Sequence, residues 1–441
     1  QLVLQLATAS QNSNHDVTIV TTRCDQDHCF DAVKLERNGR LAASVRVYGN
    51  WIPPMIMGKF TALCSSVRML YLGWKVCSQH RDADVLVIDV LPTPIPFLLQ
   101  WLPTAGILFY CHFPDKLLLQ TSGGSAKQFY RRMLDALEES TMSAADTLVV
   151  NSAFTLQEVS RVFPSLSNDH NDVRILHPAF DSSNAVKAND QPKTAQSPIV
   201  SLNRFERKKN IGLLIRAYAL LKQKSSSQPR LPKVIIAGGY DNANLENVEH
   251  HVELQNLAKE SGLTSDEIEF RLDISDEMRS KLFQTALCVV YTPDKEHFGI
   301  VPLEAMFAGS PVLAVNSGGP TETVKDAETG FLRDPTPEAF SEALEILVND
   351  PKRATEMGKK AKVHVEESFG ADRFEKQWNN LVLQTVEKRT KRKESSSSSS
   401  NLPMVVYVLL ALVVIIVLAA LYLGTSLLLG SVTSTEQQQD L

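Results

Sequence analysis

The stretch Tyr291–Gly319 reads YTPDKEHFGIVPLEAMFAGSPVLAVNSGG, and it carries the signals that decide the fold. Its first residue ends the apolar run Leu287–Tyr291, which is of the kind that forms a strand buried on both faces of a parallel sheet. A loop with Glu296 and Gly299 follows, and Pro302 predicts the first residue of a short helix. A second apolar run, Val312–Val315, predicts the next strand. The stretch therefore predicts a strand, a loop, a helix and a strand in succession, which is the repeating unit of an α/β sheet.

Glu296 and Glu304 are separated by seven residues and flank the predicted start of this helix. Open α/β sheets bind ligands beyond the carboxyl ends of their strands, and free N–H groups at a helix N-terminus hold anions such as phosphate. Glu304 has a structural alternative. With Pro302 as the first helical residue it is the third, where Glu stabilises any helix. Glu296 precedes the helix and lacks that explanation, so the pair indicates a site for a phosphate-bearing ligand.

Strand and helix patterns alternate along both halves of the chain. The predicted strands are Val17–Thr22, Val85–Val90, Ile107–Cys111, Thr147–Val150, Ile199–Leu202, Lys233–Ala237, Ile268–Arg271, Leu287–Tyr291 and Val312–Val315. The predicted helices are Gln1–Ser10, Phe129–Ser140, Ile211–Lys224, Leu245–Ser261, Asp276–Gln284, Pro337–Asn349, Thr355–Ser368 and Ala371–Lys388. This rhythm is typical of doubly wound parallel sheets, and it occurs twice.

The 441 residues exceed one ordinary hydrophobic core, so we predict two Rossmann-like domains that face each other across a cleft. Because the chain begins in a helical pattern with no strand before it, we interpret it as a fragment that lacks the first strand and its Gly-rich loop. The predicted segments are an N-terminal domain (1–181), a linker (182–197), a C-terminal domain (198–370), a terminal helix (371–388), a basic and serine-rich tether (389–401), a transmembrane helix (402–430) and a short tail (431–441).

The predicted membrane anchor rests on the uncharged apolar run Met404–Leu429, which is long enough to span the ~30 Å hydrocarbon core of a bilayer. Basic residues between Lys388 and Lys393 precede it, whereas the tail contains neither Lys nor Arg. The positive-inside rule therefore places residues 1–401 in the cytosol and the tail across the membrane. Contact of the basic cluster with anionic headgroups is an alternative to a role as a topology signal alone.

Composition excludes several classes of function. The net charge of −5 gives no reason to expect nucleic acid as a partner. The six cysteines are scattered, and the one close pair, Cys24 and Cys29, has no second Cys or His pair at a spacing that suits zinc. We therefore expect reduced thiols in a cytosolic domain.

Arg204 and Lys209 are candidate phosphate ligands that follow the predicted strand Ile199–Leu202. Arg204 comes directly after the strand and Lys209 lies just before the next helix, so both are expected over the carboxyl edge of the sheet. A guanidinium fork and an ammonium point charge there suit a diphosphate. A solvated basic loop is the alternative, and it remains the expectation for Arg207 and Lys208.

Three further candidates follow other predicted strands. Gly238 lies in a glycine pair whose backbone can approach a ligand, so we name it as a donor-binding candidate, with a simple turn as the equal alternative. His112 follows Ile107–Cys111 and is expected at the cleft, although a lone His is more often structural. Ser152 is as well explained by an N-cap as by a ligand contact.

Together these segments resemble the retaining GT-B glycosyltransferases of family 4, whose mark is a pair of Glu residues separated by seven. A narrower resemblance, to the dolichol-pathway α-1,3/1,6-mannosyltransferases, runs from the first residue to about Val386. It is carried by the strings ILFYCHFPDKLL (107–118), SLNRFERKKN (201–210), AGGYD (237–241), ENVEHH (246–251), YTPDKEHFGIVPLEAM (291–306) and AVNSGGP (314–320).

This resemblance implies a function as well as a fold. It implies transfer of mannose from GDP-mannose to Man1GlcNAc2-diphosphodolichol, in α-1,3 and α-1,6 linkage and with retention of configuration, during assembly of the lipid-linked precursor of N-glycans. The dolichol-linked oligosaccharide places the enzyme at the endoplasmic reticulum membrane, with its catalytic domains on the cytosolic face and its tail in the lumen. Other dolichol-pathway mannosyltransferases are expected partners.

The same resemblance implies roles for individual residues. Glu304 would hold the donor ribose, and Glu296 and His112 would lie near the transferred mannose. Arg204 and Lys209 would neutralise the diphosphate, and these two with Glu296 and His112 form the expected catalytic set. Backbone N–H groups would contact sugar and phosphate at Phe298, Gly299, Ile300 and Val301. Because fixed positive groups can stabilise the departing diphosphate, neither a metal nor another cofactor is expected.

Two alternatives stay open from the sequence. One is another membrane-bound family 4 transferase that uses UDP-N-acetylglucosamine for glycolipid synthesis. The other is a non-catalytic, tail-anchored scaffold on a transferase fold, against which the four residues Glu296, Glu304, Arg204 and Lys209 argue.

Overall fold

A computed structural model describes residues 1–27, 29–36, 38–55, 61–118, 125–167, 173–180, 192–224 and 231–395. The chain divides into two compact units, and both contain parallel sheets with helices between the strands. The first unit comprises Gln1–Asn151, Leu156–Leu176 and the chain from Glu375 onward, and the second comprises Ser152–Thr155 and His177–Phe374.

The first 176 residues carry the strands of the first unit. In chain order the elements are α1 (Leu2–Asn12), β1 (Ile19–Thr21), β2 (Val45–Val47), α2 (Thr61–Gln79), β3 (Val85–Asp89), α3 (Ile95–Trp101), β4 (Gly106–Cys111), α4 (Asp115–Leu118), α5 (Ser125–Met142), β5 (Thr147–Val150), α6 (Ala153–Val162) and β6 (Val173–Ile175). Strands β3, β4, β5 and β6 form one parallel sheet in that order, and β1 pairs with β2 in a separate parallel sheet. Every residue of β4 and β5 is buried, as expected for apolar strands covered on both faces.

The second unit is a single doubly wound sheet. Its elements are β7 (Ile199–Leu202), α7 (Gly212–Lys224), β8 (Val234–Gly238), α8 (Leu245–Glu260), β9 (Ile268–Leu272), α9 (Asp276–Thr285), β10 (Cys288–Tyr291), α10 (Ile300–Phe307), β11 (Val312–Val315), α11 (Pro320–Thr323), β12 (Gly330–Arg333), α12 (Pro337–Asn349) and α13 (Pro351–Phe369). The parallel strands lie in the order β12-β11-β10-β7-β8-β9. The order therefore reverses between β7 and β10, and this is the point where doubly wound sheets bind ligands.

Helices cover both faces of this sheet, because successive side chains of each strand point to opposite faces. Ile199 packs into one hydrophobic cluster with residues of α7 and α12, whereas the next residue, Val200, packs into another with residues of α10 and α13. Successive side chains of a strand point to opposite faces, so a continuous apolar run requires a layer of helices on each side. The predicted doubly wound sheet is confirmed for this half of the chain.

No bounds were predicted for helices α2, α3, α4 and α6, and the other differences from the predicted elements are at short strands and helix ends. Strands β2, β6 and β12 were not predicted, because each is short and contains an arginine, so none of them stands out as an apolar run. Helix α13 begins at Pro351 instead of Thr355, because the side chain of Asp350 accepts a hydrogen bond from the N–H of Arg353 at 3.0 Å and caps the helix.

The terminal helix α14 (Ala371–Ser395) extends beyond the predicted end at Lys388, and most of it belongs to the first unit. Arg389 donates to the carbonyl of Pro103 at 3.1 Å. Arg389 and Arg392 lie 3.7 and 3.4 Å from the carboxylate of Asp146, whose side chain is 1% exposed. The first residues of the expected tether are therefore part of a packed helix, because a buried carboxylate holds them.

Of the predicted segments, the linker is described only in part and the transmembrane helix is not described. Part of the predicted linker is described, and there Lys193 is buried and donates to the carbonyl of Gln284 at 2.6 Å and to Ser310 at 3.0 Å. The predicted transmembrane helix at 402–430 lies outside the described residues. Among the helices within them, none combines the length and the apolar character that a bilayer span requires.

Candidate functional site

The centre of the candidate site lies in the second unit, where the strand order reverses between β7 and β10. Lys209 follows β7 in a short 3-10 turn, and Glu296 follows β10 in the loop before α10. The ammonium group of Lys209 donates to Oε2 of Glu296 at 2.5 Å. The two side chains are 13% and 25% exposed, so the ion pair is partly shielded from water. The structure thus brings together two predicted site residues from neighbouring central strands.

Two contacts fix the surroundings of this ion pair. The hydroxyl of Thr292 donates to the carbonyl of Lys209 at 2.6 Å, which ties the loop after β10 to the turn after β7. Tyr291 is buried beside the pair. Burial raises the pKa of Tyr291 well above its ordinary value, and the nearby carboxylates of Glu296 and Glu304 raise it further. Tyr291 is therefore a neutral hydrogen-bond donor next to two carboxylates.

Arg204 occupies a different part of the same edge. Its guanidinium lies 2.9 Å from Glu206, and its side chain is 63% exposed. The carbon stem of Arg204 passes Gly239, where an added Cβ would meet Cγ of Arg204 at 3.8 Å. Arg204 is therefore next to the glycine turn after β8 and paired with a neighbour, whereas Lys209 makes the direct contact with Glu296.

The backbone of Glu296 is held in place by the glycine pair after β11. The N–H of Gly319 donates to the carbonyl of Glu296 at 2.7 Å. Gly318 has a φ of +64°, and a Cβ there would lie 2.4 Å from the same carbonyl oxygen. A Cβ on Gly319 would lie 2.2 Å from the carbonyl oxygen of Phe298. Only glycine permits this approach of the two loops. The pair thus acts as a support for the Glu296 loop, a role the sequence did not reveal.

Helix α10 begins earlier than the sequence predicts. Its N-cap is Gly299 in a left-handed conformation with φ +80°, so Ile300 is the first helical residue. The prediction of Pro302 as the first residue is wrong, because a glycine with positive φ can end the loop two residues sooner. Glu304 is then the fifth helical residue, beyond the first turn, where neither a capping box nor the helix dipole accounts for it. The N–H groups at the start of α10 have no acceptor within the helix and are suited to an anion.

Glu304 instead forms an ion pair with Arg279 of α9. Burial raises the pKa of Glu304, and the positive charge and hydrogen bond of Arg279 act against that shift. Sequence reasoning did not select Arg279, since nothing in a helical pattern marks one arginine among several exposed charges.

A second supporting contact lies behind the same loop. The imidazole Nε2 of His177 lies 2.9 Å from Oε2 of Glu322, and its ring stacks on that of Phe298 with centroids 5.5 Å apart. Burial alone would raise the pKa of Glu322, but hydrogen bonds from His177 and from two backbone N–H groups hold it below its usual range. The hydroxyl of Ser152 donates to the carbonyl of His297 at 2.6 Å and accepts from the N–H of Thr155 at 3.0 Å. Ser152 therefore caps α6, as one of the two predictions has it, and a ligand contact at Ser152 stays a prediction.

Gly238 ends β8 at a point of close approach to β7. A Cβ at this position would lie 1.9 Å from the carbonyl oxygen of Asn203, so no other residue fits without a shift of the backbone. Packing between the strand ends is thus a sufficient reason for this glycine. A donor contact at Gly238 stays a prediction.

His112 lies in the first unit, directly after β4, as predicted. Its Nε2 is 2.8 Å from Oδ1 of Asp89, the last residue of β3, and its side chain is 42% exposed. Val90, the residue after Asp89, has a φ of +70°. This value is unusual for a β-branched residue and marks a strained turn beside the pair of His112 and Asp89. Asp89 was missed, although its place at the end of an apolar strand is a signal that sequence reasoning can use.

Curated proteins with this sequence pattern are known from several eukaryotes. Alpha-1,3/1,6-mannosyltransferase ALG2 of Mus musculus is 40% identical over 397 residues, which cover 88% of this chain and 93% of that protein. Alpha-1,3/1,6-mannosyltransferase alg-2 of Neurospora crassa is 40% identical over 404 residues, or 84% of each chain.

The chain belongs to the alpha-1,3/1,6-mannosyltransferase family. Two broader domain families agree with this assignment to the mannosyltransferases. Residues 184–364 match the glycosyl transferases group 1 family, and residues 1–174 match the glycosyl transferase 4-like domain. The resemblance drawn from the sequence motifs is thus confirmed.

Solved structures support the GT-B-like fold of this mannosyltransferase-family chain. Sucrose-phosphate synthase from Thermosynechococcus elongatus superposes with a TM-score of 0.64 at 20% identity, covering 89% of this chain and 93% of that one. A glycosyltransferase from Rickettsia africae superposes with a TM-score of 0.61 at 15% identity, covering 87% of this chain and 94% of that one. At such identities the likeness concerns the fold alone.

Proposed function

We infer that this chain transfers mannose from GDP-mannose to Man1GlcNAc2-diphosphodolichol, forming α-1,3 and α-1,6 linkages in the lipid-linked precursor of N-glycans. The observation that carries this conclusion is the identity of about 40% with curated α-1,3/1,6-mannosyltransferases over most of both chains. These relatives favour the mannosyltransferase over the UDP-N-acetylglucosamine-dependent enzyme and the scaffold.

In this proposal the donor binds to the second unit at the point where the strand order reverses between β7 and β10. Negative charge develops on the departing GDP while the mannose becomes cation-like, and fixed positive groups aimed at that charge lower the barrier. Lys209 supplies one such group, and its ion pair with Glu296 fixes its direction. The N–H groups of Gly299, Ile300 and Val301 supply others at the start of α10. Arg204 reaches the diphosphate from the loop after β7, beside the glycine turn that follows β8.

The two carboxylates then have separate tasks. Glu304 accepts hydrogen bonds from the donor ribose hydroxyls, and Glu296 stabilises the positive charge that develops on the mannose. The ion pair with Lys209 favours this electrostatic role for Glu296 over attack on the anomeric carbon. Retention then follows from attack on the same face as the departing diphosphate. A Glu296→Gln variant tests this assignment, because full turnover would exclude any need for the charge.

Further roles are proposed outside the second unit. For His112, whose ring Asp89 orients, we propose a contact with a hydroxyl group of the transferred mannose. No divalent metal and no cofactor takes part, because the fixed charges named above act on the diphosphate.

The family works on a lipid-linked acceptor, which implies association with the endoplasmic reticulum. We place the catalytic units on the cytosolic face of that membrane, with the segment 402–430 as the span and the tail in the lumen. Contact with other dolichol-pathway mannosyltransferases would pass the lipid-linked product along the same surface.

The direct test is incubation of the full chain with GDP-mannose and a singly mannosylated diphosphodolichol acceptor, followed by linkage analysis. We expect products with one and two added mannoses, in α-1,3 and α-1,6 linkage. Transfer from a UDP sugar, or none from GDP-mannose, would contradict the proposal.

A further inference from the structure

Arg279 and Glu304 form an ion pair between two helices that pack against each other in the second unit. Arg279 lies in the first turn of α9, and its Nη2 donates to Oε2 of Glu304 in α10. Their side chains are 32% and 22% exposed, so the contact is partly buried. The pair lies at the carboxylate that the proposed function assigns to the donor ribose.

The guanidinium and the carboxylate depend on each other for their positions. Nε of Arg279 is buried and has no hydrogen-bond partner within the described ranges. Cζ of Arg279 lies over the ring of Phe283 at 5.9 Å from its centre, and Nη1 lies 3.9 Å from Oδ1 of Asp276, which is fully exposed. The bond to Glu304 is therefore the shortest polar contact of Arg279 and fixes its orientation.

We propose that Arg279 is a positioning residue for the nucleotide sugar: it anchors Oε2 of Glu304, so that the carboxylate presents Oε1 to the ribose hydroxyls. This inference rests on the proposed function, because it needs a nucleotide at Glu304. A ribose diol has two hydroxyl donors, and an ionised carboxylate has about four lone-pair sites, so the carboxylate can bind Arg279 and the diol together.

The charge of Arg279 also affects whether the carboxylate of Glu304 is ionised when the ligand binds. Burial raises the pKa of Glu304, the nearby carboxylate of Asp276 raises it too, and Arg279 lowers it. Among the described residues, the buried hydroxyl of Tyr291, on β10, also interacts with this carboxylate, which raises the pKa of Tyr291. A protonated Glu304 carries a donor of its own and loses one acceptor, which suits a diol poorly. Without Arg279, nucleotide binding should therefore weaken as the pH falls.

The test compares Arg279→Met with Lys281→Met, an exposed residue of the same helix. GDP affinity is measured by calorimetry on the full chain between about pH 6 and about pH 8.5. Below the pKa of a carboxyl group that must be ionised, affinity falls up to about tenfold per pH unit. We expect Lys281→Met to have the Kd of the parent at each pH. Arg279→Met should bind about tenfold more weakly than the parent at the low end, and this loss should become smaller as the pH rises.

Further variants separate positioning from a structural effect. Arg279→Lys keeps the charge and should keep the pH profile of the parent, and Glu304→Gln should bind weakly at every pH, with no added pH dependence from Arg279→Met. If Arg279→Met does not fold, Arg279→Gln takes its place with the same expected profile. An equal loss at every pH, or no loss, would overturn the inference. Because GDP binding is the readout, this result is distinct from failure of the parent to use GDP-mannose, which would overturn the proposed function.

Discussion

The substitution Gly319→Ala tests how closely the Glu296 loop is held. Gly319 has φ −55° and ψ −35°, a backbone conformation that alanine adopts freely, so the effect is steric. The new Cβ would lie 2.2 Å from the carbonyl oxygen of Phe298 and 2.3 Å from its Cα. Ordinary contact begins at 3.4 Å, so the loop must move by about 1.2 Å. A misplacement of about 1 Å can cost about 10² in rate, and we expect a loss of that size in kcat/KM for GDP-mannose.

Stability must be measured beside activity, because the same overlap destabilises the fold by about 1–3 kcal/mol. Gly262→Ala is the matched control. It lies after α8, at the end of the sheet away from the site loops, and an added Cβ there meets nothing within 4 Å. Its φ of +72° makes alanine strained by about 1–2 kcal/mol, so it lowers the melting temperature without moving the loop.

The two variants therefore separate loop position from stability. We expect Gly262→Ala to keep the kcat/KM of the parent at a temperature where both variants are folded. A folded Gly319→Ala protein with kcat/KM within about threefold of the parent would refute the claim that the glycine pair positions the site.

Two further predictions concern single side chains, and a third concerns a metal requirement. Lys209→Met should lower kcat by about 10²–10³, because a preorganised charge next to the diphosphate is lost; unchanged turnover would end the assignment of Lys209. Lys193→Met should flatten the dependence of stability on pH. Burial lowers the pKa of Lys193 from 10.5 to about 8, so the unfolded chain binds more protons between these values and stability rises with pH across that window, by about 3 kcal/mol in all. Denaturant unfolding at both ends of the window measures the slope, and an equal slope in the variant would contradict this origin. Chelation with EDTA should leave transfer from GDP-mannose unchanged, and a loss restored by added Mg²⁺ or Mn²⁺ would show that a metal is required.

The doubly wound sheet could be predicted because its strands are nearly continuous apolar runs. The apolar run Val312–Val315 coincides with an observed strand, and so does Ile199–Leu202, which only Ser201 interrupts. A strand that is buried on both faces needs apolar side chains on both, so it is visible in the sequence as a nearly continuous apolar segment. The residues that follow the central strands could be placed for the same reason, since parallel strands bring their carboxyl ends to one edge.

Contacts that depend on how helices cross could not be predicted. Arg279 and Glu304 are 25 residues apart, and their meeting follows from the packing of α9 on α10, which no local pattern encodes. The start of α10 was misplaced because proline marks a favoured first residue, whereas the left-handed Gly299 ends the loop earlier. Likewise, Arg389 was assigned to a tether from its charge, but its partner Asp146 is remote in sequence.

The most direct test of the central claim is a structure determined with GDP-mannose bound. The account predicts the diphosphate within hydrogen-bond distance of Lys209 and of the N–H groups at the start of α10, with the ribose hydroxyls on Glu304. A diphosphate bound elsewhere, with the ion pair between Lys209 and Glu296 undisturbed and no phosphate oxygen near either group, would contradict it.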